Sequence, residues 1–137
     1  MAVCAEGAGI ARKLVDGTVE YTKQRKQFGQ PISKFQVLQH RMSDMFCEME
    51  QIASMALMGT LKLDEAPSAR MAAVSLAKAK ASEVAELATN EAIQMHGGMG
   101  MTDAFDMGFF MKRARVLQEL FGDSNFHLNQ LAQSRGY

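Results

Sequence analysis

Residues 69–95 read ARMAAVSLAKAKASEVAELATNEAIQM, a stretch crowded with alanine and free of glycine and proline. Alanine is the best helix former and carries the smallest side chain that keeps a helix stable, so the run predicts a helix from Ala69 to about Met95. Ala-rich faces let helix axes approach closely. Such a helix belongs at the centre of a bundle, and the rest of the chain is read outward from it.

Upstream, Asp64-Glu65-Ala66-Pro67 stops a preceding helix, and Ser68 stands where it can cap the next one. The preceding helix is expected from Lys34 to Leu63, with Phe35, Leu38, Met42, Met45, Phe46, Met49, Ile52 and Ala56 in steps of three and four. At ~1.5 Å per residue it would span roughly 45 Å. Before it lies the loop RKQFGQPISKF, where Gly29 and Pro31 break the helical pattern and Ser33 can cap. The first helix runs from Ala2 to about Gln24 on a stripe of Val3/Cys4, Gly7/Ala8, Ile10/Ala11, Leu14/Val15 and Val19. No Ser, Thr, Asp or Asn precedes it, which leaves its first N–H groups without a side-chain partner. The expectation is one domain over 1–137 that starts inside its first helix, upstream of Met1.

Downstream, Gly97-Gly98-Met99-Gly100 ends the alanine-rich helix. A shorter helix is expected from Asp106 to Leu120 and a last one from Ser124 to Ser134, joined by the polar corner Phe121-Gly122-Asp123-Ser124-Asn125. No strand is predicted. The fold class is therefore all-α: an up-and-down helical bundle of three long helices plus two shorter C-terminal helices.

Composition narrows the function. A chain of 137 residues with 15 Lys+Arg against 15 Asp+Glu has no basic field to draw nucleic acid, which is excluded as a partner. No run approaches the ~18 apolar residues of a membrane span, and MAVCAEGAGIARK places its basic charge after its apolar part, the reverse of a secretory signal. The expected compartment is cytoplasmic. Cys4 and Cys47 show no metal or CxxC spacing and are read as buried thiols in a reducing environment. His40, His96 and His127 are too scattered to form a metal site. Two prolines, no Trp and 12 Met suit helices packed through small and adaptable side chains.

Three loop segments at helix ends carry candidate chemistry. In RKQFG, after Lys23, the cations Arg25 and Lys26 beside Phe28 and Gly29 suit a phosphate with an apolar ring next to it. They equally suit a solvated helix end that offsets the helix dipole. In QMHGGMG, Gln94 and His96 precede glycines whose bare backbone can approach a ligand, or which form a plain helix terminus. At GDSN, Asp123 or Ser124 caps the last helix, whose N–H groups can also face an anion.

Taken together, in this order and spacing, these segments resemble the C-terminal helical domain of the acyl-CoA dehydrogenase family. The family pattern is a basic residue before Phe-Gly, an Ile or Leu with Phe-Gln after it, Gln-x-x-Gly-Gly-x-Gly, an Arg-Asp-Ala-like helix and a Tyr-Glu-Gly-Thr-like corner. Here these are similar to Arg25–Gly29, Ile32 with Phe35-Gln36, Gln94–Gly100, Lys112-Arg113-Ala114 and Leu120–Asp123. The resemblance implies a flavoprotein that binds FAD between the subunits of an oligomer, a dimer of dimers in the family. Arg25 would hold the pyrophosphate of a neighbouring subunit's FAD, with Gln27, Phe28, Phe35 and Gln36 around it. Gln94, Gly97 and Gly98 would contact its adenosine-diphosphate portion, and Asp123, Ser124 and Asn125 the same subunit's flavin.

The implied reaction is α,β-dehydrogenation of an acyl-CoA thioester, in which a carboxylate removes the α proton and the flavin accepts a hydride from the β carbon. The implied partners are acyl-CoA, a homo- or hetero-oligomer and an electron-transferring flavoprotein. The corner departs from the pattern: the Glu position is Phe121, which accepts no proton. Asp123 is the nearest carboxylate, shorter than Glu and placed as an N-cap. Some family members carry the base on the first helix of this domain, a position that falls just before Met1. The family's N-terminal helical domain and middle β domain are not in this sequence, so the chain alone is expected to be inactive. A catalytically silent FAD-holding subunit and a non-enzymatic interaction module are the competing expectations.

Overall fold

A computed structural model describes residues 1–137. Five α-helices dominate: α1 (Ala2–Gln24), α2 (Gln36–Leu61), α3 (Pro67–His96), α4 (Met107–Glu119) and α5 (Ser124–Ser134). The alanine-rich helix α3 is central and packs against all four others. With 30 residues it is the longest, so the roughly 45 Å expected of the second helix belongs to the third.

The inner stripe of α3 is Ala77, Ala81, Val84, Ala85, Ala88 and Ala92, all buried. It meets Cys4, Leu14 and Val15 of α1 and Met45, Met49 and Ile52 of α2 in one core. α1 approaches through a glycine: a Cβ placed on Gly7 would sit 3.8 Å from the Ala81 Cβ and 3.7 Å from Ile52 Cδ1. Small residues on both helices set this spacing.

Local chemistry shifts several boundaries. Ser33 does not cap α2; Ile32–Lys34 forms one 3-10 turn and Phe35, in extended conformation, is the N-cap. Ser68 does not cap α3 either, because Pro67 occupies the first turn and Ala66 the N-cap without a side-chain hydrogen bond. Proline suits that place, where its missing N–H is not needed. α1 opens at Ala2 with no side-chain cap. For α5 the reading holds, and Asp123 accepts from the Phe126 N–H at 2.7 Å.

Two expectations are corrected. The loop after α1 contains a minimal antiparallel pair, β1 (Lys26–Gln27) with β2 (Gln30–Pro31), where no strand was expected. Phe28 (φ 53°) and Gly29 (φ 79°) are both left-handed, the backbone of a tight two-residue hairpin turn. Of the two cysteines, Cys4 is buried but Cys47 is exposed, because it lies on the outer face of α2. No helix is long and apolar enough to cross a membrane.

The close α1–α3 contact yields a prediction. Ala81→Leu forces a larger side chain into that contact and is expected to destabilise the chain by about 1–3 kcal/mol. Urea unfolding followed by circular dichroism measures it, and an unchanged midpoint would contradict the packing described.

Candidate functional site

The glycine-rich end of α3 and the end of α1 form one cleft of about 530 Å³. It brings together Arg25 and Gln27 with Gln94, Gly97 and Gly98, two segments distant in sequence. Arg25 ends α1 in extended conformation, its N–H bonded to the Tyr21 carbonyl and its carbonyl accepting from Ile32 N at 2.9 Å. These bonds turn the chain into the hairpin. The Arg25 guanidinium is exposed and pairs with no carboxylate, whereas Arg12, Arg41 and Arg113 each hold a glutamate. It also borders a second cleft, of about 510 Å³, between α1 and residues 104–110.

The three glycines of the turn have different reasons to be glycine. Gly97 sits at φ 60° and ψ −144°, a conformation open to glycine alone. A Cβ on Gly100 would lie 3.0 Å from the Ile93 carbonyl oxygen, too close to backbone. A Cβ on Gly98 would meet nothing within 4 Å. The chain itself therefore gives no packing reason for glycine at 98, and its bare backbone faces the cleft.

Beneath the cleft His96 is buried and stacks on Tyr21, ring centroids 4.1 Å apart. Its Nδ1 lies 2.7 Å from the Ala92 carbonyl and so carries the proton, which leaves Nε2 buried without a partner. Phe28 projects from the hairpin tip, 91% exposed, its ring edge-to-face with Phe35 at 6.0 Å. Gln36 begins α2 beside them, outside the cleft.

The corner after α4 lies elsewhere. It packs on Lys78, 18 residues from His96 along α3 and so about 27 Å away by helix rise. Lys78 is buried and donates to Ser82 Oγ (2.9 Å), the Gln118 carbonyl (3.1 Å) and the Gly122 carbonyl (2.8 Å). His127 lies buried beside it, its Nε2 3.0 Å from the Phe121 carbonyl and its Nδ1 3.3 Å from Ser75 Oγ. Ser124 donates to Glu83, and Asn125 is exposed. Asp123 caps α5 through one carboxylate oxygen and is exposed. A cavity of about 350 Å³ runs from Phe121 to the first turn of α1 and is lined by Met1, Ala2, Val3, Cys4 and Val74, with Lys78 and His127 at its floor. No group of His, Cys, Asp and Glu is arranged to hold a metal ion.

Sequence reasoning missed Lys78 and His127. The signal was present for Lys78: it stands four residues after Val74 and three before Ala81, inside the buried stripe. For His127 the clue was its place one turn after the Asp123 cap.

The family model described as "Acyl-CoA dehydrogenase, C-terminal domain" matches residues 1–135. The probable acyl-CoA dehydrogenase YngJ of Bacillus subtilis is 35% identical over 98% of this chain and 35% of its own length. The bovine short/branched chain specific acyl-CoA dehydrogenase, a mitochondrial protein, is 34% identical over 96% of this chain and 30% of its own. The solved butyryl-CoA dehydrogenase of Megasphaera elsdenii superposes with a TM-score of 0.90 at 31% identity, over 97% of this chain and 34% of that one. The FAD complex of PigA does so with a TM-score of 0.90 at 28% identity, over 97% and 34%. The chain belongs to the acyl-CoA dehydrogenase family and corresponds to its C-terminal domain. It spans about a third of the length of these relatives, and the bovine relative shows that the family is not confined to the cytoplasm.

Two predictions follow from the site. Gly98→Ala is expected to leave the thermal midpoint within about 1 °C of the parent, while Gly100→Ala lowers it by several degrees, at roughly 3–5 °C per kcal/mol for a chain of this length. Equal effects would show that Gly98 packs internally. Burial holds the His127 imidazole below the usual histidine value, opposed by its bond to the Phe121 carbonyl. The unfolded chain therefore takes up a proton that the folded chain resists as pH falls below about 6.5, and stability declines. Between pH 7.5 and 5.5 the midpoint should fall less in His127→Gln than in the parent; an equally steep fall would clear His127 as a cause.

Proposed function

We propose that this chain is the cofactor-contacting C-terminal domain of a flavin-dependent acyl-CoA dehydrogenase, which oxidises the α,β carbon–carbon bond of acyl-CoA thioesters. The observation that carries the reading is the cleft in which an unpaired Arg25, Gln27, Gln94 and the open backbone of Gly98 converge. An arginine fork binds two oxygens of a pyrophosphate, and a glycine without internal contacts lets a ligand reach the backbone. Gln94 adds an amide able to donate and accept, and Phe28 and Phe35 add an apolar wall at the hairpin. FAD, when bound, supplies the hydride acceptor.

The corner with Asp123, Ser124 and Asn125 serves a different copy of the cofactor from the one at Arg25. The separation of about 27 Å along α3 supports this division, and it requires an oligomer. Phe121 removes no proton, so the base comes from outside the corner, from the first helix upstream of Met1 or from another subunit. Phe121 also favours a second reading, a catalytically silent subunit that holds FAD for a partner. Electron-transferring flavoprotein is the proposed electron acceptor. A chain of the Acidaminococcus fermentans structure described by that name superposes on 98% of this one, at 32% identity with a TM-score of 0.91.

FAD titrated to millimolar concentration into the ¹⁵N-labelled chain should give saturable shifts at the amides of Gln27, Gln94, Gly97 and Gly98. Arg25→Ala should weaken that binding about tenfold or more, the scale of one lost charge-assisted pair. No saturable shift at these amides, or equal binding by Arg25→Ala, would reject the cleft as the cofactor site. Addition of an active family dehydrogenase subunit separates the two readings: turnover above that of the added subunit alone supports the silent partner.

A further inference from the structure

The corner has a backbone that its own side chains do not explain. Phe121 sits at φ 64°, followed by Gly122 at φ 98°. The left-handed region is rarely entered by a bulky residue. Nothing about the Phe121 ring compensates, because it is 78% exposed. Gly122 is required on two counts, since a Cβ there would also lie 2.4 Å from the Phe126 ring.

What holds the corner lies beneath it. Lys78, from the middle of α3, bonds the carbonyls of Gln118 and Gly122. His127, from α5, bonds the carbonyl of Phe121. Both side chains are buried, and each is fixed at a second point, Lys78 by Ser82 and His127 by Ser75. An ammonium has three N–H donors, and all three are used here. The cation also faces the carbonyl end of α4, where the helix dipole favours positive charge. Burial pushes the Lys78 ammonium below the usual lysine value, while Cys4, Asp123 and Glu119 favour its charge.

We infer that Lys78 and His127 are positioning residues for the side chain at position 121. They draw inward the Phe121 and Gly122 carbonyls of the corner and the Gln118 carbonyl in the last turn of α4, and so hold residue 121 left-handed. The side chain there is displayed between the cavity toward α1 and a second one, of about 480 Å³, along the outer face of α4. All of these bonds are to backbone, so they do not depend on which residue occupies position 121. The same restraint would hold any side chain placed at position 121, a proton-accepting one included, where it now holds the Phe121 ring. The catalytic meaning of this restraint rests on the proposed dehydrogenase reading; the restraint itself involves no cofactor.

Amide hydrogen exchange, read residue by residue on the full 137-residue chain, is the test. Lys78→Met keeps most of the side-chain volume and removes the donors. The amides of Leu120, Gly122, Phe126 and His127 should then exchange about tenfold faster or more, while those in the middles of α1, α2 and α3 change less than about twofold. Unchanged exchange at the corner overturns the inference, and so does uniform acceleration across all helices, the mark of a general stability role. Should Lys78→Met fail to fold, Phe121→Glu decides. With the restraint intact, its chemical shifts differ from the parent's only around residues 120–122, and Gly122 keeps its protection. Lost protection at Gly122, or shifts spreading to Lys78 and His127, overturns the inference. Neither measurement contains flavin, so the absence of FAD binding at the Arg25 cleft leaves these results standing, and a failure here leaves the cleft untouched.

Discussion

A helix enclosed by four others has to satisfy two constraints at once, and α3 meets both. Its side chains must be small enough for close approach, and any charge it carries must find partners inside the protein. Alanine answers the first along most of the inner stripe. Lys78 answers the second: its ammonium leaves water, which costs several kcal/mol without partners, and recovers three acceptors from Ser82 and the corner. The central helix and the corner after α4 are therefore one unit. Loss of either the small residues or the internal acceptors would disturb both.

The same helix separates the two candidate regions. One end carries the glycine turn that meets Arg25 across the cleft, and the other half carries the cation under the corner. The two regions shape their backbone by different means. At Gly98 the backbone is bare because no side chain stands there. At the corner it is bent outward because buried donors hold its carbonyls inward. A long rigid element between two such regions suits a protein whose cofactors lie at subunit boundaries, which is the arrangement proposed for this chain.

Much of this was legible in the residues. The periodic stripes of α1 and α2 and the alanine run of α3 were read correctly as helices, since burial against a neighbour is written as a spacing of three and four. Arg25, Gln27, Gln94, Gly97 and Gly98 were selected from separate motifs and do line one cleft. The hairpin at Phe28–Gly29 was not read, because two-residue strands carry no alternation to detect. The caps at Ser33 and Ser68 were misread, since a 3-10 turn and a proline start the two helices in their place. Cys47 was misread because its neighbours Met45 and Met49 are buried while it faces outward.

By itself the sequence determined the helices, their number and order, and the absence of a carboxylate at position 121, all properties of composition and local spacing. The tertiary structure alone decided which of the three glycines is left open to a ligand, that Arg25 borders the cleft without a carboxylate partner, and that Lys78 and His127 bond the backbone around the corner. Those depend on contacts between residues tens of positions apart, and a lysine in an alanine run looks the same in sequence whether it reaches solvent or a buried carbonyl. Only the packed fold distinguishes the two, because only there do desolvation and the available acceptors act on the same atom.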